Sequence, residues 1–357
     1  MPVIRSLAVG LLCLGAYAQE PPEQLPQFKT SVEVVVAPVT VLDQDGSFVN
    51  GLQPFQFHLF DNDKPQDIKV DVTYQPISMV IAIQANDHVQ AVLPQIQKIG
   101  NLIQPLVIGD QGEAAVLAFD HRLRVLQDFT NDSAKITDAV KKITPGSSSS
   151  RMIDAVSESV RMLKHRPPDR RRILLLLSET RDRASEGRVR DALIDAQLAN
   201  VSIYSVDISR FVTTLSAKQM PPRPDPMPPA ARAGALPPGV PATPTTVAQT
   251  FGQQGGRAEF LPLLLEIYKD VKSIFIDNPL EVFTKGTGGT EFGFMRQKGL
   301  EEAISKIGEE LHSQYLVAYH PNDMEEGGFH QIQVEIEGHP DAKVRTRPGY
   351  WLASKYN

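Results

Sequence analysis

Residues 77–83 read ISMVIAI and residues 173–177 read ILLLL, two short runs almost free of polar breaks. A strand with water on one face alternates apolar and polar positions, whereas a run apolar throughout belongs in a strand covered on both faces. Outward from these runs the chain alternates. A helical stretch is expected from His88 to Leu106, then a strand from Glu113 to Phe119 with an antiparallel partner from Arg122 to Phe129. Helices are expected near Ser133 to Ile143 and Arg151 to Lys164, and again from Glu186 to Ala199 before a strand from Val201 to Val206. Helical patterning resumes at Phe260 to Lys272 and Leu300 to His312. Strands separated by helices of this length predict βαβ units. The expectation is an α/β fold at residues 76–312, a mostly parallel, Rossmann-type sheet with helices on both faces.

Both flanks read as β. In residues 28–75, SVEVVVAPVTVLDQDGSFVNGL (31–52) alternates around Asp45-Gly46, and FQFHLFDNDKPQDIKV (55–70) turns at Asp61 to Lys64. Two such hairpins predict a small N-terminal β-sandwich-like module. The tail, residues 313–357, carries SQYLVAYHP (313–321), a strand able to extend the α/β sheet. It ends in a C-terminal β-hairpin from FHQIQVEIEG (329–338) and AKVRTRPGYW (342–351), free either to pack on the N-terminal module or to cover the sheet edge. Within residues 217–246 the stretch PPRPDPMPPAARAGALPPGVPATPTT (221–246) is too dense in proline for helix or sheet, so an extended insertion in the α/β domain is expected.

The start, MPVIRSLAVGLLCLGAYAQE (1–20), combines Arg5, a short apolar core and small residues at Ala16 and Ala18. That is the pattern of a signal peptide, residues 1–18, cut after Ala18, with residues 19–27 as a linker. No later stretch is apolar for the roughly 20 residues a bilayer requires, so the expected product is periplasmic or extracellular, with no integral membrane segment. The single cysteine, Cys13, sits inside the leader, which rules out a disulfide framework. A formal net charge of -6 speaks against a nucleic-acid partner, whose surface would need an excess of Lys and Arg.

ISMVIAIQANDHV (77–89) resembles the first strand and loop of a von Willebrand factor type A (vWA) domain, where the strand ends in Asp-x-Ser-x-Ser. GSSSSRMIDAV (146–156) is similar to that family's second metal loop, and RRILLLLSETRDRAS (171–185) to the strand and loop that end Thr-Asp-Gly. The flanking stretches PVTVLDQDGSFVNGLQPFQFHLFDNDKPQDI (38–68), TGGTEF (287–292), AISKIGEELHSQYLVAYHP (303–321) and VRTRPGYW (344–351) look like the VWFA-related proteins of acidobacteria, exported proteins mostly without an assigned role. The resemblance implies a vWA-like α/β domain with flanking β-modules. It also implies a metal-ion-dependent adhesion site at Gln84, Asn86, His88, Ser150 and Glu179.

Those residues are a poor ligand set for the Mg²⁺ that an intact site holds. Gln84 and Asn86 offer neutral carbonyls where Mg²⁺ wants carboxylate, and His88 offers nitrogen, better matched to transition metals. Ser150 and Glu179 are the remaining oxygen donors. The site therefore reads as degenerate, with no resident cofactor expected and Mg²⁺ as the ion it would take if any. Asp87, Asp154 and Asp182 read as cap and loop residues. The basic run HRPPDRRR (165–172), between a helix and a buried strand, reads as a solvated connection. Gly288-Gly289 in TGGTEF reads as a tight turn, because no Lys-Ser/Thr follows to make a phosphate loop. No nucleophile elbow, P-loop, dinucleotide fingerprint or HExxH helix occurs in the mature chain, so no enzyme activity is expected. The reading is an exported protein-binding or scaffolding protein. Its alternatives are a structural envelope protein with a vestigial vWA head and a metal-dependent adhesion module.

Overall fold

Strand β5 (Ile77–Gln84) is buried at every position, as a run without polar alternation requires. Parallel neighbours flank it: β6 (Glu113–Phe119) on one side and β8 (Arg171–Ser178) on the other. β9 (Val201–Asp207) and β10 (Glu291–Gly293) continue the parallel array beyond β8, and β7 (Leu123–Thr130) closes the opposite edge antiparallel to β6. The sheet order is β10-β9-β8-β5-β6-β7, so the α/β expectation holds. The computed structural model describes residues 34–72, 75–209, 212, 256–268, 278–293, 297–322 and 327–352. The leader 1–18, the linker 19–27 and the proline-rich stretch 217–246 lie outside them.

Two apolar layers cover the sheet. On one face pack α1 (Leu93–Ile96), α2 (Gly100–Ile103), α3 (Ser133–Lys141) and, from much later in the chain, a helix here numbered α8 (Gln297–Ser313), through Ile96, Ile103, Val140, Ile304 and Ile307. The other face carries α4 (Met152–Lys164), α5 (Val189–Leu198), α6 (Gly256–Tyr268) and α7 (Pro279–Thr287), through Val156, Leu193, Leu264 and Phe283. The helix expected from His88 to Leu106 is instead a series of short turns: α1, α2 and a π-turn at Gln104–Ile108. Pro94 and Pro105 each remove an N–H donor inside that span, and Gly100 loosens it between them. Helix α7 and strand β10 had no sequence forecast. TGGTEF joins them as the turn it was read to be: Gly288 has φ +82° after α7, and a Cβ on Gly289 would stand 2.0 Å from the Ile203 carbonyl oxygen.

The β flanks do not pair as two local hairpins. β1 (Val35–Leu42) reaches the segment after Asp45-Gly46 only through one bridge, Leu42 to Phe48. Its ladders run instead to β11 (Tyr315–Tyr319) and β13 (Lys343–Arg345) from the tail. β11 also takes β4 (Ile68–Asp71), giving the order β13-β1-β11-β4. The stretch SQYLVAYHP therefore joins the β flank rather than the α/β sheet. The second sheet, β14-β12-β2-β3, seats β12 (Gly328–Ile336) between β2 (Phe57–Asp61) and β14 (Gly349–Leu352). The β2–β3 turn does form as read, with Asn62 at φ 48° and Asp63 at φ 62° leading into β3 (Lys64–Pro65). Phe57, Leu59, Val317, Tyr319, Val334 and Tyr350 fill the core of this β flank.

Candidate functional site

Because β5 and β8 are parallel neighbours paired Ile83 to Leu177, their carboxyl ends place Gln84 beside Ser178 and Glu179. Open α/β sheets collect ligands at this end of the strands. Gln84 is fully buried. Its Oε1 accepts from Ser178 Oγ at 2.7 Å and from the Glu179 backbone N–H at 2.9 Å. Its Nε2 donates to Asn86 Oδ1 at 3.0 Å and to Glu179 Oε2 at 2.9 Å. Both donors and both acceptor positions of the amide are thereby used. The orientation is also fixed. The Glu179 N–H can only donate, so the amide oxygen must face it and the NH₂ must face the two side-chain oxygens.

The surrounding loops are stitched together by their backbones. Gly146 N donates to the Ala85 carbonyl at 2.6 Å, and Asp87 N to that of Ser147 at 3.1 Å. A Cβ on Gly146 would lie 1.6 Å from Asp120 Oδ2, so this close passage needs glycine. The Ser150 carbonyl accepts from Arg183 N and Ala184 N, both at 3.1 Å, tying the serine loop to the segment after β8. Asp182 Oδ1 accepts from Met152 N at 2.7 Å and Ile153 N at 3.3 Å, which caps the first turn of α4 from another loop. Asp154 accepts from Gly187 N and Glu186 N and pairs with Arg151 at 2.7 Å. Burial pushes the Asp154 pKa up, but those hydrogen bonds and the Arg151 charge outweigh it and hold the carboxyl below its ordinary value.

Of the five sequence-derived positions, Gln84, Asn86 and Glu179 come into direct contact. His88 stands apart on an exposed turn, its Nε2 3.4 Å from Arg183 Nη1 and 3.9 Å from Asp87 Oδ1. Ser150 is buried, and its Oγ has no hydrogen-bond partner among the described residues. Among those residues no group of three or more His, Cys, Asp or Glu side chains could hold a metal ion. The donor set does not fit Mg²⁺. Its one carboxylate, Glu179, and the Asn86 oxygen already receive the positive end of the Gln84 amide, and that end cannot turn away. Ser178 and Gly146 were missed from the sequence. Ser178 was legible as the last residue of a buried strand, whereas the space constraint on Gly146 has no local signal.

No protein-family profile matches the sequence, and no curated protein matches it. Solved structures do. A von Willebrand factor type A protein from Catenulispora acidiphila is 10% identical over 92% of this chain and 76% of its own, with a TM-score of 0.44. An aerotolerance-related membrane protein from Bacteroides fragilis is 10% identical over 65% of this chain and 98% of its own, at 0.38. The conserved hypothetical protein BatB from Bacteroides thetaiotaomicron is 12% identical over 37% of this chain, at 0.33. This chain spans 66% of the BatB structure and 38% of the vWF domain of the pilus tip protein Mfa5 from Porphyromonas gingivalis. What it is similar to in them is the fold.

Proposed function

We propose that the chain is an exported, non-enzymatic protein-binding or scaffolding module whose loop face around Gln84 engages a partner without a resident metal. The observation that carries this reading is the Gln84 amide. It bridges Asn86 and Glu179, two of the five positions a metal site would use, and hydrogen-bonds the ends of β5 and β8 to each other. A surface already organised by hydrogen bonds needs no ion to assemble it, so its partner is recognised by loop shape and polar contacts. Export rests on the leader-like first eighteen residues. No described helix is long and apolar enough to cross a membrane. The likeness of the flanking motifs to the VWFA-related proteins of acidobacteria, which are exported, supports export.

Calorimetry on the chelator-treated full chain tests the metal-free reading. Titration with Mg²⁺ and then Mn²⁺ is expected to give only dilution heat. Binding tighter than about 1 mM that disappears in Glu179→Ala would restore a metal-dependent adhesion module instead.

A further inference from the structure

In the basic run at residues 165–172, His165, Pro167, Pro168 and Asp169 are exposed, as a solvated connection would have them, but the four arginines are half-buried. Glu113 takes Arg166 Nη2 at 2.8 Å and Arg170 Nε at 3.4 Å, and Arg170, Arg171 and Arg172 line a cleft of about 280 Å³. The cleft opens where β1 and the tail meet the amino ends of β8 and β9. Val34, Val36 and, from the far end of the chain, Arg347 complete its walls. It lies at the opposite end of the parallel strands from Gln84, so nothing in it depends on the loop face.

Among the described residues, two of the cleft's guanidiniums, those of Arg172 and Arg347, lack a carboxylate at salt-bridge distance. A guanidinium carries five N–H donors and stays protonated, so a buried one calls for acceptors and a counter-charge. Arg172 donates to the carbonyls of Ala199 at 2.9 Å and Arg166 at 2.8 Å, and its Nε is buried without a partner. Arg347 is 3% exposed, with a single hydrogen bond among the described residues, Nη1 to the Gln197 carbonyl at 3.2 Å. Its Nε is likewise unpartnered, and its guanidinium stands 5.5 Å from the Tyr350 ring centroid. Neither makes a salt bridge to a carboxylate among the described residues, and the one carboxylate whose charge reaches Arg347, Asp61, is already engaged by Tyr319, Tyr350 and His330. Glu113, the acid that serves the run, is already shared by Arg166 and Arg170. Burial lowers the pKa of both guanidiniums, Arg347 being enclosed and Arg172 half-buried.

We propose that this cleft is a binding site for a small oxyanion, a phosphate or carboxylate group held between Arg172 and Arg347. Planar guanidinium forks match both groups, and the volume lies at the small end of ligand pockets. The test is calorimetry and thermal unfolding of the full chain with inorganic phosphate and, in parallel, citrate, each at ionic strength matched with chloride. A saturable response to either is expected, with a rise of about 2–4 °C in Tm at ten times the dissociation constant. The stronger ligand identifies the source of the oxyanion. Arg172→Gln should weaken binding at least about tenfold, the cost of one lost charge-assisted contact. That variant also loses two backbone bonds, so Val34→Glu is the companion: it keeps every guanidinium and places a tethered carboxylate at the mouth. It should raise Tm without added anion and abolish the response to phosphate and citrate. No response beyond the chloride control, or a response that both variants retain, overturns the proposal.

Discussion

A primary amide has two faces of opposite polarity, and Gln84 uses both. The oxygen side is held by Ser178 and the Glu179 N–H, so the NH₂ side is aimed at the Asn86 and Glu179 oxygens whatever the solvent holds. Gln84→Glu keeps the shape and reverses the polarity of that second side. Two donated hydrogen bonds become contacts between acceptors, and one of them faces a second carboxylate. The expected loss in metal-free buffer is about 2–4 kcal/mol, from buried groups left unsatisfied and from like-charge repulsion. The same change supplies the paired carboxylates that Mg²⁺ seeks, so millimolar Mg²⁺ should return part of the lost Tm in the variant and leave the parent chain unmoved. Thermal unfolding with chelator and with Mg²⁺ decides it. A parent chain that itself loses Tm in chelator would contradict the metal-free reading.

Asp61 does for the β flank what Gln84 does for the loop face. It ends β2, yet its Oδ2 accepts from Tyr319 of β11, in the other sheet, at 2.9 Å and from Tyr350 of β14 at 2.7 Å. Its Oδ1 lies 2.9 Å from His330 Nδ1 of β12. Burial pushes this carboxyl up, but the His330, Tyr350 and Tyr319 hydrogen bonds and the His330 charge prevail and hold it below the ordinary range. A depressed folded pKa contributes stability that is present above the unfolded value of about 3.9 and lost as pH falls through the folded value. Asp61→Asn should therefore cost about 2–3 kcal/mol near neutrality, through its charge-assisted bonds, and flatten the acid limb of the stability curve. Urea unfolding near neutral pH and below about pH 4 measures both effects, and an unchanged acid limb would show that Asp61 does not set it. From the sequence Asp61 looked like the first residue of an exposed turn. Its role was hidden because all three partners come from the last fifty residues, and side-chain alternation reports a face but never the strand across from it.

The same limit explains what was legible in the whole chain. Continuous apolar runs announced β5 and β8, and the positions of β6, β7 and β9 followed from strand and helix patterns alternating along the chain, because each strand's own burial is written into its own residues. Pairing is not. β1 holds a strong strand pattern and a good turn at Asp45-Gly46, yet the tail strand β11 outcompetes the nearby segment, matching Val35 to Tyr319 through Val39 to Tyr315. At the loop face the chemistry of Gln84, Asn86 and Glu179 could be read as neutral and poor in carboxylate, but the amide bridge among them depends on a strand register that only the fold supplies. Interleaving of the two ends has a testable consequence. β11 lies between β1 and β4, and β12 between β2 and β14, so residues 34–72 have almost no ladder of their own beyond the short β2–β3 turn. Ending the chain after Ser313 leaves β1 and β4 as unpaired edges and exposes Val39, Phe57 and Leu59. Hydrogen exchange read by mass spectrometry should then show residues 34–72 losing protection to the level of unfolded chain, while β5, β6 and β8 keep theirs. Retained protection in β1 would mean that the N-terminal strands fold without the tail, and that the two ends form separate units rather than one interleaved sandwich.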